Sequence, residues 1–359
     1  MSGFPTEPGA IDVDWIDAAL RRSGALTTGR IAEIVWEPIG TGQVGDSARF
    51  HLSYDEAGDG PATVAGKFPA ADATSRATAS MFGLYRKEVE FYRQAAPILD
   101  VRVPQVHFAG LSQDGAEFIL LFEDLGPARG GNQLNSCDIK DAREAIRQAA
   151  AIHAPSWRND AILEAEWIMP PPDLGEKVGA MYPQAQSIFR ERYADTLEPE
   201  YMVVCEELAE TAALWFKRDD PPQCLVHGDF RLDNMLFDIG GGSEPIAVLD
   251  WQTVTIGNAM TDIGYFLGCG IGDELRRAHE DELLALYCEE MTRRGVPTQR
   301  NAIWQDYIIG ALHGVSTAVF SAAFVERTER GDANFLSMAR GACALAAQHG
   351  SIAALKERA

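Results

Sequence analysis

The sequence predicts an α+β fold of two lobes, a small β-rich N-terminal lobe and a larger, mainly helical C-terminal lobe. Three observations predict it. At 359 residues the chain is longer than one ordinary single-core domain. Strand-type segments crowd into the stretch before residue 125. Beyond it, helical periodicity dominates and one β island interrupts it, CLVHGDFRLDNMLFDIGGGSEPIAVLDW. The Gly-rich break GPARGGN marks the change of character, which sets an N-terminal lobe at 1–122, a hinge at 123–126 and a C-terminal lobe at 127–359.

The elements follow in order. DWIDAALRR (14–22) places Trp15, Ala18 and Ala19 at helical spacing. IAEIVWEPIG, SARFHLSY and ATVAGKF alternate as strands, with GTGQVGD between the first two and the polar turn SYDEAGDGPA between the second and third. A helix is expected over about 76–96, with Phe82, Tyr85, Val89 and Tyr92 on one stripe and Pro97 closing it. VPQVHFAG and EFILLFEDL read as two further strands joined by SQDG. Helices are expected over about 138–154, 200–217, 273–294, 301–327 and 332–356.

Composition limits the function. Hydrophobic residues at 46% and charged residues at 23% support a packed core. The formal charge of −22 disfavours nucleic acid, whose binders need a basic footprint, and disfavours an anionic membrane surface. The acid is spread evenly: residues 1–125 carry −8 and residues 126–359 carry −14. Six scattered cysteines without a CxxC pair read as reduced, mostly buried thiols of a cytoplasmic protein, and MSGFPTEPGAIDVDW carries no signal-peptide pattern. Ile308–Val325 runs 18 residues without a formal charge, but its polar residues and acidic flanks favour a buried core helix over a membrane span.

Four groups of residues carry candidate chemistry. Gly40, Gly42 and Gly45 form GxGxxG at a hairpin tip, where a Rossmann site would need a helix. At a hairpin tip, glycines instead let backbone N–H groups approach phosphate oxygens. Lys67 sits in an otherwise apolar strand, where an ammonium needs a partner, and Glu88 follows on a helix 21 residues later. Glu90 faces another direction. His227-Gly228-Asp229, then Asn234 and Asp250-Trp251-Gln252, form the strongest motif. A carboxylate five residues before an amide on one loop can accept a hydroxyl proton at Asp229 while Asn234 and Asp250, joined by a short hairpin, hold Mg²⁺. His227 is expected to fix backbone geometry and not to act as a base.

These motifs, in this order, resemble the aminoglycoside phosphotransferase and choline-kinase-like superfamily, whose fold is protein-kinase-like. The resemblance covers about residues 30–345. It implies ATP and Mg²⁺ as cofactors, Asp229 as catalytic base, and Asn234 and Asp250 as metal ligands. It implies that Lys67 and Glu88 anchor the phosphates, and that the backbone around Phe122, Glu123 and Leu125 takes adenine. Asp262 in NAMTDIGYFL resembles the acid that braces the catalytic loop. FEDLG, AIHAPSW and DWQ look like the ecdysteroid-kinase-like (CHK-type) branch. HGDFRLDN and AVLDWQTVTIGNAMTDIG also look like kinase domains linked to hydroxyacyl-CoA breakdown, which usually carry Glu where this chain has Gln252. HGD in place of HRD, DWQ in place of DFG and no APE-type segment favour a small-molecule hydroxyl acceptor over a protein.

The even spread of acid argues against a polycationic acceptor. The stripe Trp304, Tyr307, Ile308, Leu312, Val315, Val319, Phe320 and Phe324 predicts a largely apolar, sterol-like or hydroxyacyl acceptor if part of it faces the cleft. Two alternatives stand beside that reading: an aminoglycoside or macrolide O-phosphotransferase, and a catalytically silent nucleotide-binding pseudokinase.

Overall fold

The computed structural model describes residues 3–40, 44–56, 58–217, 221, 223–325 and 327–358. Helix α1 (Val13–Ser23) opens the fold. The Asp12 carboxylate accepts the N–H of Trp15 at its start, and Gly24 closes it at φ 78°. A five-stranded antiparallel sheet follows. Its strands are β1 (Arg30–Ile39), β2 (Gly45–Glu56), β3 (Thr63–Pro69), β4 (Val106–Leu111) and β5 (Phe118–Glu123), in the order β1-β2-β3-β5-β4. β5 explains why this sheet has two covered faces. Its side chains alternate, so Ile119 and Leu121 join Ile16, Ala19 and Leu20 of α1 in one core. Phe118, Leu120 and Phe122 join the main core on the other face.

Between β3 and β4 the expected single helix is three pieces: α2 (Ala73–Met81), α3 (Leu84–Glu90) and a π turn at Phe91–Ala95. Gly83, at φ 63°, breaks the first two apart. Phe82 therefore leaves the predicted stripe and is 56% exposed, while Tyr85, Val89 and Tyr92 are buried. Tyr85 stacks on Phe118 of β5, with ring centroids 4.4 Å apart, which seats α3 against the sheet.

The remainder is mainly helical: α4 (Ile139–Ser156), α5 (Asp160–Leu163), α6 (Leu174–Tyr193), α7 (Pro199–Glu210) and α8 (Ala212–Phe216) come first. The 20-residue α6 is absent from the sequence expectation. Gly175, Gly179 and Pro183 lie inside it and dilute its periodicity. The β island forms β6 (Arg129–Gly130) with β8 (Met235–Asp238) and β9 (Glu244–Val248), and β7 (Cys224–Val226) with β10 (Thr255–Gly257). A distorted turn, α9 (Ile239–Gly242), joins β8 to β9. Then come α10 (Met260–Tyr265), α11 (Asp273–Arg293), α12 (Arg300–Gly310), α13 (Leu312–Phe324), α14 (Glu329–His349) and α15 (Ser351–Arg358). A π turn at Phe266–Gly270 extends α10.

The apolar run that mimics a membrane span is α12 and α13, divided at Ala311, and 72% of its most apolar window is buried in the protein. Tyr307, Ile308, Leu312, Val315 and Val319 are all core residues, and Phe320 packs on Tyr182 and Phe216. Of that stripe, Phe324 is the exposed member, at 51%. The stripe therefore serves helix packing, because α13 is enclosed by α6, α10 and α14. All six cysteines are free thiols, five of them buried.

One close approach fixes the helix that follows the β island. A Cβ on Gly310 of α12 would lie 2.1 Å from the Met260 carbonyl oxygen of α10, and one on Gly264 would lie 2.6 Å from the Ala311 nitrogen. Gly310→Ala must push α10 and α12 apart, at a cost of about 1–3 kcal/mol. A urea denaturation curve measures it, and a midpoint equal to that of the parent chain would show that the helices have room to spare.

Candidate active site

The N-terminal sheet supplies a cation. Lys67 on β3 pairs in register with Ser47 and Leu120, so its side chain leaves the centre of the sheet. Its Nζ lies 2.7 Å from Glu88 Oε1 on α3 and 3.1 Å from Asp250 Oδ1. Burial alone would lower the Lys67 pKa, but the charges of Asp250 and Glu88 outweigh it and hold it above its ordinary value. Burial pushes Glu88 up, against the pull of Lys67. Glu90 turns away to Arg93 and Gln94. Gly45 begins β2 directly beside this pair: a Cβ there would meet the Phe68 carbonyl at 3.0 Å and Lys67 Cε at 3.5 Å. Gly40 ends β1 at φ 75°. Gly42 lies outside the described residues.

The loop after β7 carries the second half. Gly228, at φ 79°, turns the chain so tightly that a Cβ would sit 2.6 Å from the Thr253 carbonyl oxygen. Buried Asp262 of α10 holds this turn. It accepts the N–H of His227 at 2.7 Å and of Gly228 at 2.9 Å, and contacts His153 Nε2 at 3.2 Å. His227 is wholly buried; its Nε2 meets the Leu249 carbonyl at 2.9 Å and its Nδ1 accepts the Asp229 N–H at 3.2 Å. It braces backbone on two sides.

Asp229 projects from this loop with three donors around its carboxylate. Tyr265 O–H donates to Oδ1 at 2.8 Å, Asn234 Nδ2 donates to Oδ2 at 2.8 Å, and Arg231 Nε lies 2.9 Å from Oδ1. Burial raises the Asp229 pKa, but the Arg231 guanidinium and these hydrogen bonds outweigh it and hold the carboxyl below its usual range. The β8–β9 hairpin then aligns the last residue. Leu249 N–H donates to Asn234 O at 2.8 Å, and Asp250 follows at φ 62°, a left-handed conformation that turns its carboxylate towards Lys67.

Sequence reasoning missed Arg231, Tyr265, Gln133 and His313. Arg231 Nη1 also reaches Asp233 Oδ2 at 3.1 Å and Gln133 Oε1 at 3.2 Å. His313 Nε2 lies 2.7 Å from the Gly228 carbonyl. Arg231 stands inside HGDFRLDN and is the one of the four that a local reading could have found. At the expected adenine site part of the backbone is already paired within the protein. The Glu123 N–H is donated to Gln105 O, and the Leu125 carbonyl accepts the N–H of Gly240. The Phe122 side chain is buried in the main core. Arg102 joins Glu123 of β5 to Glu244 of β9, at 2.5 Å and 2.6 Å.

The β3 lysine and the α3 glutamate thus meet the carboxylate that follows the β8–β9 hairpin, and Asn234, just before β8, meets the Asp229 loop. The phosphotransferase enzyme family model matches residues 75–296, and the chain belongs to that family. The fold is similar to wild-type aminoglycoside 2'-phosphotransferase-IIIa, solved with GDP, at a TM-score of 0.53 and 15% identity over 93% of this chain and 99% of that one. It is also similar to a provisionally assigned aminoglycoside phosphotransferase of Ralstonia eutropha JMP134, at 0.52 and 18% identity over 94% and 98%. Among curated proteins, acyl-CoA dehydrogenase family member 11 of Mus musculus is 34% identical over 91 residues, 21% of this chain and 11% of that protein. The chain thus spans about a tenth of that relative's length.

Asp262→Asn tests the brace. It sets an amide N–H₂ where two backbone N–H groups need an acceptor, at a cost of about 2–4 kcal/mol. Burial raises the Asp262 pKa, but the hydrogen bond from His153 and that from the Gly228 N–H help to outweigh it and leave it lowered. A lowered folded-state pKa stabilises above the unfolded value and is lost as pH falls through the folded one. The gap in stability between parent and Asp262→Asn should therefore be full at pH 7 and close below about pH 4. Denaturation curves across that range check it; a pH-independent gap would exclude a charged role.

Proposed function

We propose that the protein is an ATP- and Mg²⁺-dependent kinase that transfers the γ-phosphate to a hydroxyl of a small, largely apolar acceptor, such as a sterol-like or hydroxyacyl compound. The observation that carries the kinase reading is the joining of Lys67, Glu88 and Asp250 in one ion-pair cluster. Lys67 is the cation for the α/β phosphates and Glu88 orients it. The residues fit magnesium. That ion takes one or two protein oxygens and keeps waters and phosphates for the rest. With Nδ2 committed to Asp229, Asn234 keeps its amide oxygen to offer together with the Asp250 carboxylate. Bound magnesium supplies charge neutralisation for the transferring phosphoryl group. Asp229 orients the acceptor hydroxyl and takes its proton, and Asp262 holds the loop that presents it.

Two observations support an acceptor that is not a polycation. The chain's negative charge is spread over both halves of the sequence. The base itself is paired to a guanidinium, Arg231, which repels ammonium groups placed beside the reacting hydroxyl. The chain's curated relatives are named as acyl-CoA dehydrogenase family members, which supports an acyl-bearing acceptor.

The test is ADP release from Mg·ATP with a panel of 3-hydroxyacyl-CoA thioesters, sterols, sugars, kanamycin and erythromycin. Turnover of hydroxyacyl or sterol compounds is expected; turnover of the antibiotics alone overturns the acceptor half. Asp229→Asn should lower turnover by about 10²–10⁴-fold while a fluorescent ATP analogue still binds. Near-parental turnover would remove Asp229 as the base.

A further inference from the structure

We propose that Tyr265 is a positioning residue that aims the Asp229 carboxylate, and that Arg231 is the exchangeable partner which an incoming acceptor hydroxyl displaces. The inference rests on the reading of Asp229 as the base. A carboxylate offers about four lone-pair sites. Here Tyr265 O–H and Arg231 Nε occupy Oδ1, at 2.8 and 2.9 Å. Asn234 Nδ2 and Arg231 Nε occupy Oδ2, at 2.8 and 3.1 Å. The single Arg231 Nε–H is shared between both oxygens and so covers the outer edge of the carboxylate; a hydroxyl that hands over its proton at that edge displaces it.

The surroundings decide which donor yields. Tyr265 is wholly buried, and its ring meets His313 edge-on at 5.1 Å. The neighbouring Gly264 is wedged against Gly310 and Ala311 of α12. A two-torsion side chain so enclosed has nowhere else to go. Burial and the nearby Asp229 charge push the phenol well above its usual pKa, so it stays an O–H donor. Arg231 differs in each respect. Its side chain is 22% exposed, it has four torsions, and Asp233 and Gln133 already hold its other nitrogen at 3.1 and 3.2 Å. It can release Asp229 without losing every partner. Tyr265 thus fixes the plane of the carboxylate, and Arg231 screens it until the acceptor arrives. His313 acts on the same loop from α13, through the Gly228 carbonyl.

The experiment uses the full chain and the panel compound that the parent turns over fastest. Tyr265→Phe keeps the ring and removes the hydroxyl. Its turnover should fall about 10–100-fold with KM for ATP and acceptor unchanged, and the same change in an Asp229→Asn background should cost nothing more. Parental turnover, or an equal fall in both backgrounds, overturns the positioning role. Arg231→Met should lower the acceptor KM several-fold by removing the competitor; a raised KM overturns the displacement. A crystal structure of Tyr265→Phe should show the Asp229 carboxylate rotated from its parental plane. An unrotated carboxylate overturns the inference even if no panel compound is phosphorylated, an outcome in which the kinase reading has failed separately.

Discussion

Asp262 is the constraint on which the site depends. It is a carboxylate without solvent exposure, and its two oxygens receive two successive backbone N–H groups and one imidazole. Those N–H groups belong to the turn that presents Asp229. They cannot be satisfied by water there, so the turn keeps its shape only while Asp262 is charged and in place. The neighbouring residue Tyr265, one helical turn on, reaches the carboxylate that the turn presents. One short helix therefore sets both the backbone of the loop and the orientation of its side chain. The close contact of Gly264 with α12 holds that helix from behind.

Charge is distributed on the same economical plan. A chain of net −22 places its working cations where carboxylates already surround them. Lys67 lies between Glu88 and Asp250, and Arg231 between Asp229 and Asp233. Each cation is held by two anions, without a large positive field. A polyanionic nucleotide then needs a divalent ion to bring the local balance towards neutrality.

Much of this was legible in the sequence, because it rests on short spacings. HGD with Asn five residues on is a local loop, and a lysine in an apolar strand demands a partner whatever its distance. The two-lobed fold followed from where strand periodicity gives way to helical periodicity. The rest was hidden for definite reasons. Tyr265 reaches Asp229 across 36 residues of chain, and no spacing announces such a bond. α6 carries two glycines and a proline that blur its period. The aromatic stripe of α12 and α13 reads the same whether it faces a ligand or other helices, and only the enclosing helices decide. Gly83 broke a helix that periodicity alone would have continued.

Trp251 stands directly after the metal-type Asp250. Its ring lies flat on Phe91, with centroids 3.7 Å apart and planes within 8°, and 4.6 Å from His227 on another side. Phe91 directly follows the helix that carries Glu88. Both stacked rings are wholly buried. Swinging that helix outward, which would break the Lys67–Glu88 pair, means separating two large aromatic surfaces from each other in the core. The stacked rings thus tie the helix that carries Glu88 to the residue after Asp250, and the ion pair shares its support with the core.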